Sequence, residues 1–266
     1  METLALALDG RGVARLTLAR AARHNALSAG MIAELTEAAA RLAADPGVRV
    51  VVLAAEGESF CAGGDLAWMK AQIEADAQTR AAGARSLAMM LRALDELPQP
   101  LIARVHGNAF GGGVGLLSVC DLALGVAGTR FGLTETRLGL IPATIGPYVV
   151  ARMGAARARR VMLSGRVFDA AEAEALGLLA RVVPADELDA ALEAEVAAHL
   201  AAAPGAVAAA KRLIRRLGPP IDPAAIEASL AAAIAALIEV WEGPEARAGI
   251  AAFFDRRPPP WASRAP

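Results

Sequence analysis

Two glycine-dense stretches and one glutamate hold most of the chemical promise of this sequence. Residues 106–121 read HGNAFGGGVGLLSVCD, where Gly111, Gly112, Gly113 and Gly115 open an otherwise apolar, helix-like run. Residues 60–69 read FCAGGDLAWM, a second glycine turn opening a helix. Each glycine weakens a helix by about 1 kcal/mol relative to alanine, so the backbone itself must be needed there. Neither stretch matches GxxxxGK[ST], nor GxGxxG with an acidic residue some 20 positions on, so a nucleotide cradle is weakly supported. Close packing explains one or two glycines but poorly explains four in five. The remaining reading is that bare N–H groups approach a ligand atom, two such donors at helix N-termini making an oxyanion hole. Glu135, in FGLTET just before the turn-rich LGLIPATIGP, is the matching carboxylate. An isolated loop glutamate is ordinarily exposed or an N-cap neighbour, whereas beside a glycine-lined pocket it becomes a general acid/base with a raised pKa.

The other reactive side chains organise less. His24, His106 and His199 share no metal-ligand spacing with one another or with the cysteines, so no metal site is expected. His106 belongs to its turn and His199 to a helix. Cys61 has no identifiable base and reads as a small buried turn residue, and Ser118 lacks the GxSxG elbow. Arg157, Arg159 and Arg160, like Lys211, Arg212, Arg215 and Arg216, read as solvated helix faces, with phosphate contact the lesser reading.

These residues need elements to position them. Thr3–Leu8 and Val13–Leu18 alternate about a DGRG turn and predict a β-hairpin. Ser28 caps a helix whose Ile32, Leu35, Ala39 and Leu42 recur at helical spacing until Asp45-Pro46-Gly47 ends it. Val48–Ala54 is a continuous apolar run of the kind buried on both faces. That strand leads into the first glycine turn and helix, and the strand LIARV leads into the second about 50 residues later. Asp121–Val126 and Arg130–Leu133 read as further strands. The succession predicts an α/β architecture, as a coiled repeat rather than a flat sheet. From Asp186 onward the pattern is helical, over Asp186–Ala203, Ala206–Leu217, Pro223–Ile238 and Pro244–Phe254, before a tail RRPPPWASRAP. That region is a natural place for subunit packing.

Composition narrows the class. The 266 residues suit one large domain, or a domain with an appendage, and at 56% hydrophobic and 4% aromatic they supply a core of Ala, Leu, Val and Ile. The net charge of −1 offers no global field for nucleic acid. Two cysteines are too few for a disulfide framework and fit a reduced compartment. METLALALDG carries Glu2 and Asp9 and lacks a basic segment, so it does not read as a signal peptide, and the apolar run around Leu230–Ile238 falls short of the roughly 18 residues of a membrane span. A soluble, cytoplasmic chain is expected, without nucleic-acid or membrane partners.

RHNALS (23–28), FCAGGDLAWM, HGNAFGGGVGLLSVCD, FGLTETRLGLIP (131–142) and SGRVFDAAEAEALGLLARVVP (164–184) occur in order over most of the chain. Together they resemble the enoyl-CoA hydratase/isomerase, or crotonase, family, and most closely its bacterial methylglutaconyl-CoA hydratase-like members. The resemblance implies a spiral of repeated ββα units, residues 1–190, holding the acyl-CoA site. A helical region, residues 191–266, would come after it and serve oligomerisation as a trimer or a dimer of trimers. No cofactor is implied beyond the coenzyme A of the substrate.

By the same resemblance, the backbone N–H groups of Gly64 and Gly112 would bind the thioester oxygen and Glu135 would be the general acid/base. Ala26, Ala62, Asp65 and Leu66 match stretches that line the adenine and pantetheine path, and Arg23, Phe110, Gly111 and Thr134 complete the expected substrate-binding set. Family hydratases carry a second glutamate three residues after the position of Gly112, and here that residue is Gly115. Three activities are compatible with this set: hydration of a short or branched 2-enoyl-CoA such as 3-methylglutaconyl-CoA, double-bond isomerisation with Glu135 as sole base, or acyl-CoA binding without turnover. Arg137 is a candidate for an extra substrate carboxylate. Ala67 stands where a family lysine often touches the adenine, leaving Lys70, Arg256 or Arg257 for that contact.

Overall fold

The computed structural model describes residues 1–217 and 223–261; the end of the Pro-rich tail, 262–266, and residues 218–222 between two expected helices lie outside them. Strands β1 (Leu4–Leu8) and β2 (Val13–Leu18) form the expected antiparallel hairpin. Asp9 shapes its turn: Oδ1 accepts from the N–H groups of Arg11 and Val13, both at 2.9 Å. Helix α1 (Ala29–Ala44) starts where Ser28 Oγ accepts from the Met31 N–H, and its Ile32, Leu35, Ala39 and Leu42 are buried.

Beyond α1 the chain repeats, with two strands per unit rather than one. The first unit is β3 (Val50–Ala55), β4 (Ser59–Cys61), α2 (Leu66–Glu74) and α3 (Ala77–Asp95). The second is β5 (Leu101–Val105), β6 (Asn108–Phe110) and α4 (Gly112–Ser118). The third is β7 (Leu122–Val126), β8 (Arg130–Gly132), a 3₁₀ turn over Thr134–Leu138, α5 (Gly146–Met153) and α6 (Ala155–Met162). Then come β9 (Val167–Asp169), α7 (Ala170–Ala175) and β10 (Arg181–Val183). The longer strand of each unit enters a six-stranded sheet ordered β1-β2-β3-β5-β7-β10, parallel except at the β1–β2 hairpin. The short one enters a four-stranded sheet ordered β4-β6-β8-β9. The chain thus climbs in a two-layered coil, and each glycine turn lies at the end of a short strand.

Helices α8 (Leu188–Leu200), α9 (Pro204–Leu217), α10 (Pro223–Glu242) and α11 (Pro244–Phe254) close the chain. β3 is buried on both faces as its composition requires: Val51 and Leu53 join the main core with α1 and α3, while Val50 and Val52 pack with Leu192 and Val196 of α8. One expectation fails on α9. Lys211 is buried, and its Nζ donates to Asp121 Oδ2 at 2.6 Å and to the Gln99 carbonyl at 3.2 Å, while Arg215 pairs with Glu96 at 2.9 Å. Two members of the cluster read as a solvated face, Lys211 and Arg215, thus fasten α9 to the end of α3 and to Asp121 just before β7, while Arg212 and Arg216 are exposed as expected. No helix among the described residues is long and apolar enough to cross a membrane.

Candidate active site

A cavity of about 130 Å³ lies where the two glycine turns meet the 3₁₀ turn. Gly64, Gly112 and Glu135 all line it. Its remaining wall is mostly apolar, from Leu27, Trp68, Met69, Leu87 and Ile145 together with Leu237, Ile238 and Trp241 of α10. Among the C-terminal helices, α10 therefore supplies part of the cavity wall.

The backbone around Gly64 is fixed by an extended segment running beside it. The Leu27 N–H donates to the Gly63 carbonyl at 2.7 Å, and the Asp65 N–H donates to the Leu27 carbonyl at 3.0 Å. In this parallel bridge the flanking residues make both bonds, which leaves the N–H of Gly64 itself out of the pairing. Asn25 anchors the segment: fully buried at a left-handed φ of +53°, it donates to the Glu56 and Ser59 carbonyls at 2.8 and 2.9 Å and accepts from the Arg20 N–H at 2.9 Å. Asp65 caps α2 by accepting from the Ala67 and Trp68 N–H groups, and it pairs with Arg20 at 3.1 Å. Burial pushes its carboxyl up, but the Trp68 N–H, the Arg20 guanidinium and the Ala67 N–H outweigh that and hold it below the usual range.

Gly112 is the first residue of α4, so its N–H has no acceptor within the helix. A Cβ there would sit 2.6 Å from Leu27 Cδ1. Packing in fact accounts for more of this glycine run than its sequence suggested. Gly111 adopts φ +46°, a Cβ on Gly113 would meet the Cys61 carbonyl oxygen at 2.6 Å, and one on Gly115 would meet Ile145 Cγ2 at 2.6 Å. Gly115, the expected place of a second glutamate, is therefore filled from across the cavity wall by Ile145.

Glu135 stands at the start of the 3₁₀ turn, with Oε1 3.0 Å from where a Gly111 Cβ would lie. Its Oε2 is enclosed and has no hydrogen-bond partner among the described residues. Burial pushes the carboxyl up to about 7, against the weaker pull of its own backbone N–H. Helix α11 braces the turn from behind, because Gly249 lets the Leu138 carbonyl come so close that a Cβ would sit 2.4 Å from it.

The other expected residues are sorted by position. Ala26 is buried and Leu66 exposed, while Arg23 and Ala62 lie exposed on the two paired segments, 23–27 and 62–66, outside the cavity wall. Phe110, Gly111 and Thr134 adjoin the lining residues Gly112 and Glu135 and are half-buried. Arg137, Lys70, Arg256 and Arg257 are exposed and line none of the cavity. Cys61 and Cys120 are buried, and burial pushes each thiol up to about 12, far from a thiolate. His106 Nε2 lies 2.7 Å from the Gly57 carbonyl, so the β5–β6 turn is tied to the β3–β4 turn. Among the described residues no group of three or more His, Cys, Asp or Glu is placed to hold a metal ion. Sequence reasoning gave no role to Trp68, although FCAGGDLAWM contains it, and missed Gln72, Arg80 and the α10 residues, which fall in none of the quoted motifs and reach the site only through the fold.

A family model described as enoyl-CoA hydratase/isomerase matches residues 9–264. A solved enoyl-CoA hydratase of Mycobacterium avium is 32% identical, with 98% of this chain and 99% of that one covered at a TM-score of 0.85. One from Shewanella pealeana is 36% identical, with 97% and 96% covered at a TM-score of 0.79. A Thermus thermophilus relative is 38% identical over 162 residues, and the enoyl-CoA hydratase ACTT6 of Alternaria alternata 36% over 187 residues. The chain spans 64% and 60% of the lengths of those two relatives.

Proposed function

The chain belongs to the enoyl-CoA hydratase/isomerase family, and on that premise we propose that it hydrates a short or branched 2-enoyl-CoA, with 3-methylglutaconyl-CoA among the candidates. The observation that carries the reading is the enclosed Glu135 carboxyl, poised near 7, on the same cavity as Gly64 and Gly112. The thioester oxygen would accept from the N–H groups of those two glycines, so that charge developing on it meets fixed donors. Removing one such donor typically costs about 3 kcal/mol of barrier.

Glu135 then serves both halves of the addition. Its carboxylate takes a proton from water as the water oxygen bonds to C3, and the electrons of the C2–C3 double bond shift to the thioester oxygen. The resulting carboxylic acid returns that proton to C2 as the enolate collapses, so one water is added and Glu135 is regenerated. A pKa near 7 keeps both forms accessible near neutrality. A second carboxylate is not required by this sequence of steps, which accommodates Gly115. The single glutamate equally suits an isomerase, and product mass separates the two, since hydration adds one water and isomerisation none.

Coenzyme A enters only as part of the substrate, and residues 23–27 and 62–66 offer a path for it outside the cavity. Assembly as a trimer or a dimer of trimers through the region from 191, around the spiral core of 1–190, belongs to the same reading, as does a cytoplasmic location. Adding the protein to crotonyl-CoA should lower the absorbance of the conjugated thioester, and Glu135→Gln should abolish the change. Undiminished activity of that variant would remove Glu135 from its role, and turnover by the wild type excludes an acyl-CoA-binding protein without chemistry.

A further inference from the structure

Arg80 is 8% exposed and lines the same cavity among apolar side chains. Its partners leave one of the three guanidinium nitrogens unmatched. Nη1 donates to the Gln72 and Ala75 carbonyls at 3.2 and 2.5 Å, and Nη2 is ion-paired with Glu242 of α10. Nε is buried with no partner among the described residues. A buried donor left unmatched is costly, and a native protein ordinarily has a use for each one.

Its position says which part of a ligand it would meet. Gly64 lies just before the start of α2, and Gln72 lies six residues after Leu66, about 9 Å further along the helix axis. Arg80 binds the Gln72 carbonyl and so sits toward the end of the cavity away from the glycines. An acyl group held by its thioester at Gly64 and Gly112 would present its distal end there. An alkyl terminus leaves the Nε–H unmatched, while an oxygen acceptor satisfies it. The charge of Arg80 is already balanced by Glu242, whose side chain is 48% exposed, so that the pair is partly screened by solvent.

We infer that the acyl pocket selects a substrate carrying a hydrogen-bond-accepting oxygen, carboxylate or hydroxyl, at the distal end of its acyl chain, with Arg80 as the residue that reads it. This rests on the placement of the thioester at Gly64 and Gly112 proposed above. The test uses three 2-enoyl-CoA esters of equal length ending in methyl, hydroxyl or carboxylate, and in parallel the dissociation constants of their saturated counterparts. Wild-type protein should favour an oxygen-terminated ester over the methyl one by about tenfold in kcat/KM and in binding, and Arg80→Met should bring the ratio to about one. Glu242→Gln, at a half-exposed position, should leave the preference for oxygen intact and raise the carboxylate relative to the hydroxyl ester several-fold. A wild-type preference for the methyl terminus, or an unchanged ratio in Arg80→Met, overturns the inference. Should Arg80→Met fail to fold, an unaltered carboxylate-to-hydroxyl ratio in Glu242→Gln overturns it instead. Absence of turnover with all three esters would count against the hydratase reading alone, because the binding ratios still report on Arg80.

Discussion

Replacing Glu135 by glutamine should change stability in a way that depends on pH with a definite sign. The folded chain holds this carboxyl near 7, whereas an ordinary glutamate, as in the unfolded chain, titrates near 4.5. At about 1.4 kcal/mol per pH unit, that gap is worth about 3 kcal/mol. Below 4.5 the group is neutral in both states and costs nothing. Between 4.5 and 7 the unfolded chain ionises while the fold retains its proton, so wild-type stability falls as pH rises, and above 7 the loss is complete. Glutamine never ionises and escapes this loss. Its amide adds a donor where Oε2 has no partner, which costs about 1–3 kcal/mol at every pH. The pH-dependent part is therefore the signal. With about 2–4 °C per kcal/mol for a chain of this size, the variant should gain roughly 6–12 °C on the wild type between about pH 4.5 and about pH 8.5. Scanning calorimetry of both proteins across that range reads it directly, since their shared groups cancel. A melting-temperature difference that does not change with pH would refute the claim that burial raises this carboxyl.

The same raised pKa sets a rate profile: kcat/KM should fall about tenfold per unit as pH drops below about 7, and a profile flat from 5 to 8 would contradict Glu135 as the base. Gly115→Glu should cost about 1–3 kcal/mol of stability and add no activity, because its Cβ would meet Ile145; a faster enzyme would show that the cavity has room for a second carboxylate. Asn25→Ala loses three buried hydrogen bonds at a left-handed φ and should cost about 3 kcal/mol in denaturant titration, with a drop in kcat as the Leu27–Gly64 pairing loosens. Retention of both stability and rate would separate that segment from the site.

The hairpin, α1, the buried strand and the C-terminal helices were legible because each depends on local signals: the DGRG turn, the Ser28 cap, alternation and helical spacing. Strands β4, β6 and β9 were not, since three residues carry no measurable period and form only against neighbours in the second sheet. The glycine turns were visible as places where backbone approaches something closely. Their partners were not: Leu27, the Cys61 carbonyl and Ile145 come from distant parts of the chain. Lys211 misled for the same reason, because nothing beside it in sequence reveals Asp121, which lies 90 residues away. The far wall of the cavity was invisible, as Arg80 and Glu242 pair only when α10 folds across α3.

Everything proposed for the site turns on whether Glu135, opposite the N–H groups of Gly64 and Gly112, adds water to a 2-enoyl-CoA. Mass spectrometry of crotonyl-CoA incubated with wild-type and Glu135→Gln protein in ¹⁸O-labelled water decides it. The wild-type product should be heavier than substrate by one labelled water, and the variant should form no such product. A wild-type product of unchanged mass, or equal ¹⁸O incorporation by both proteins, would contradict that role.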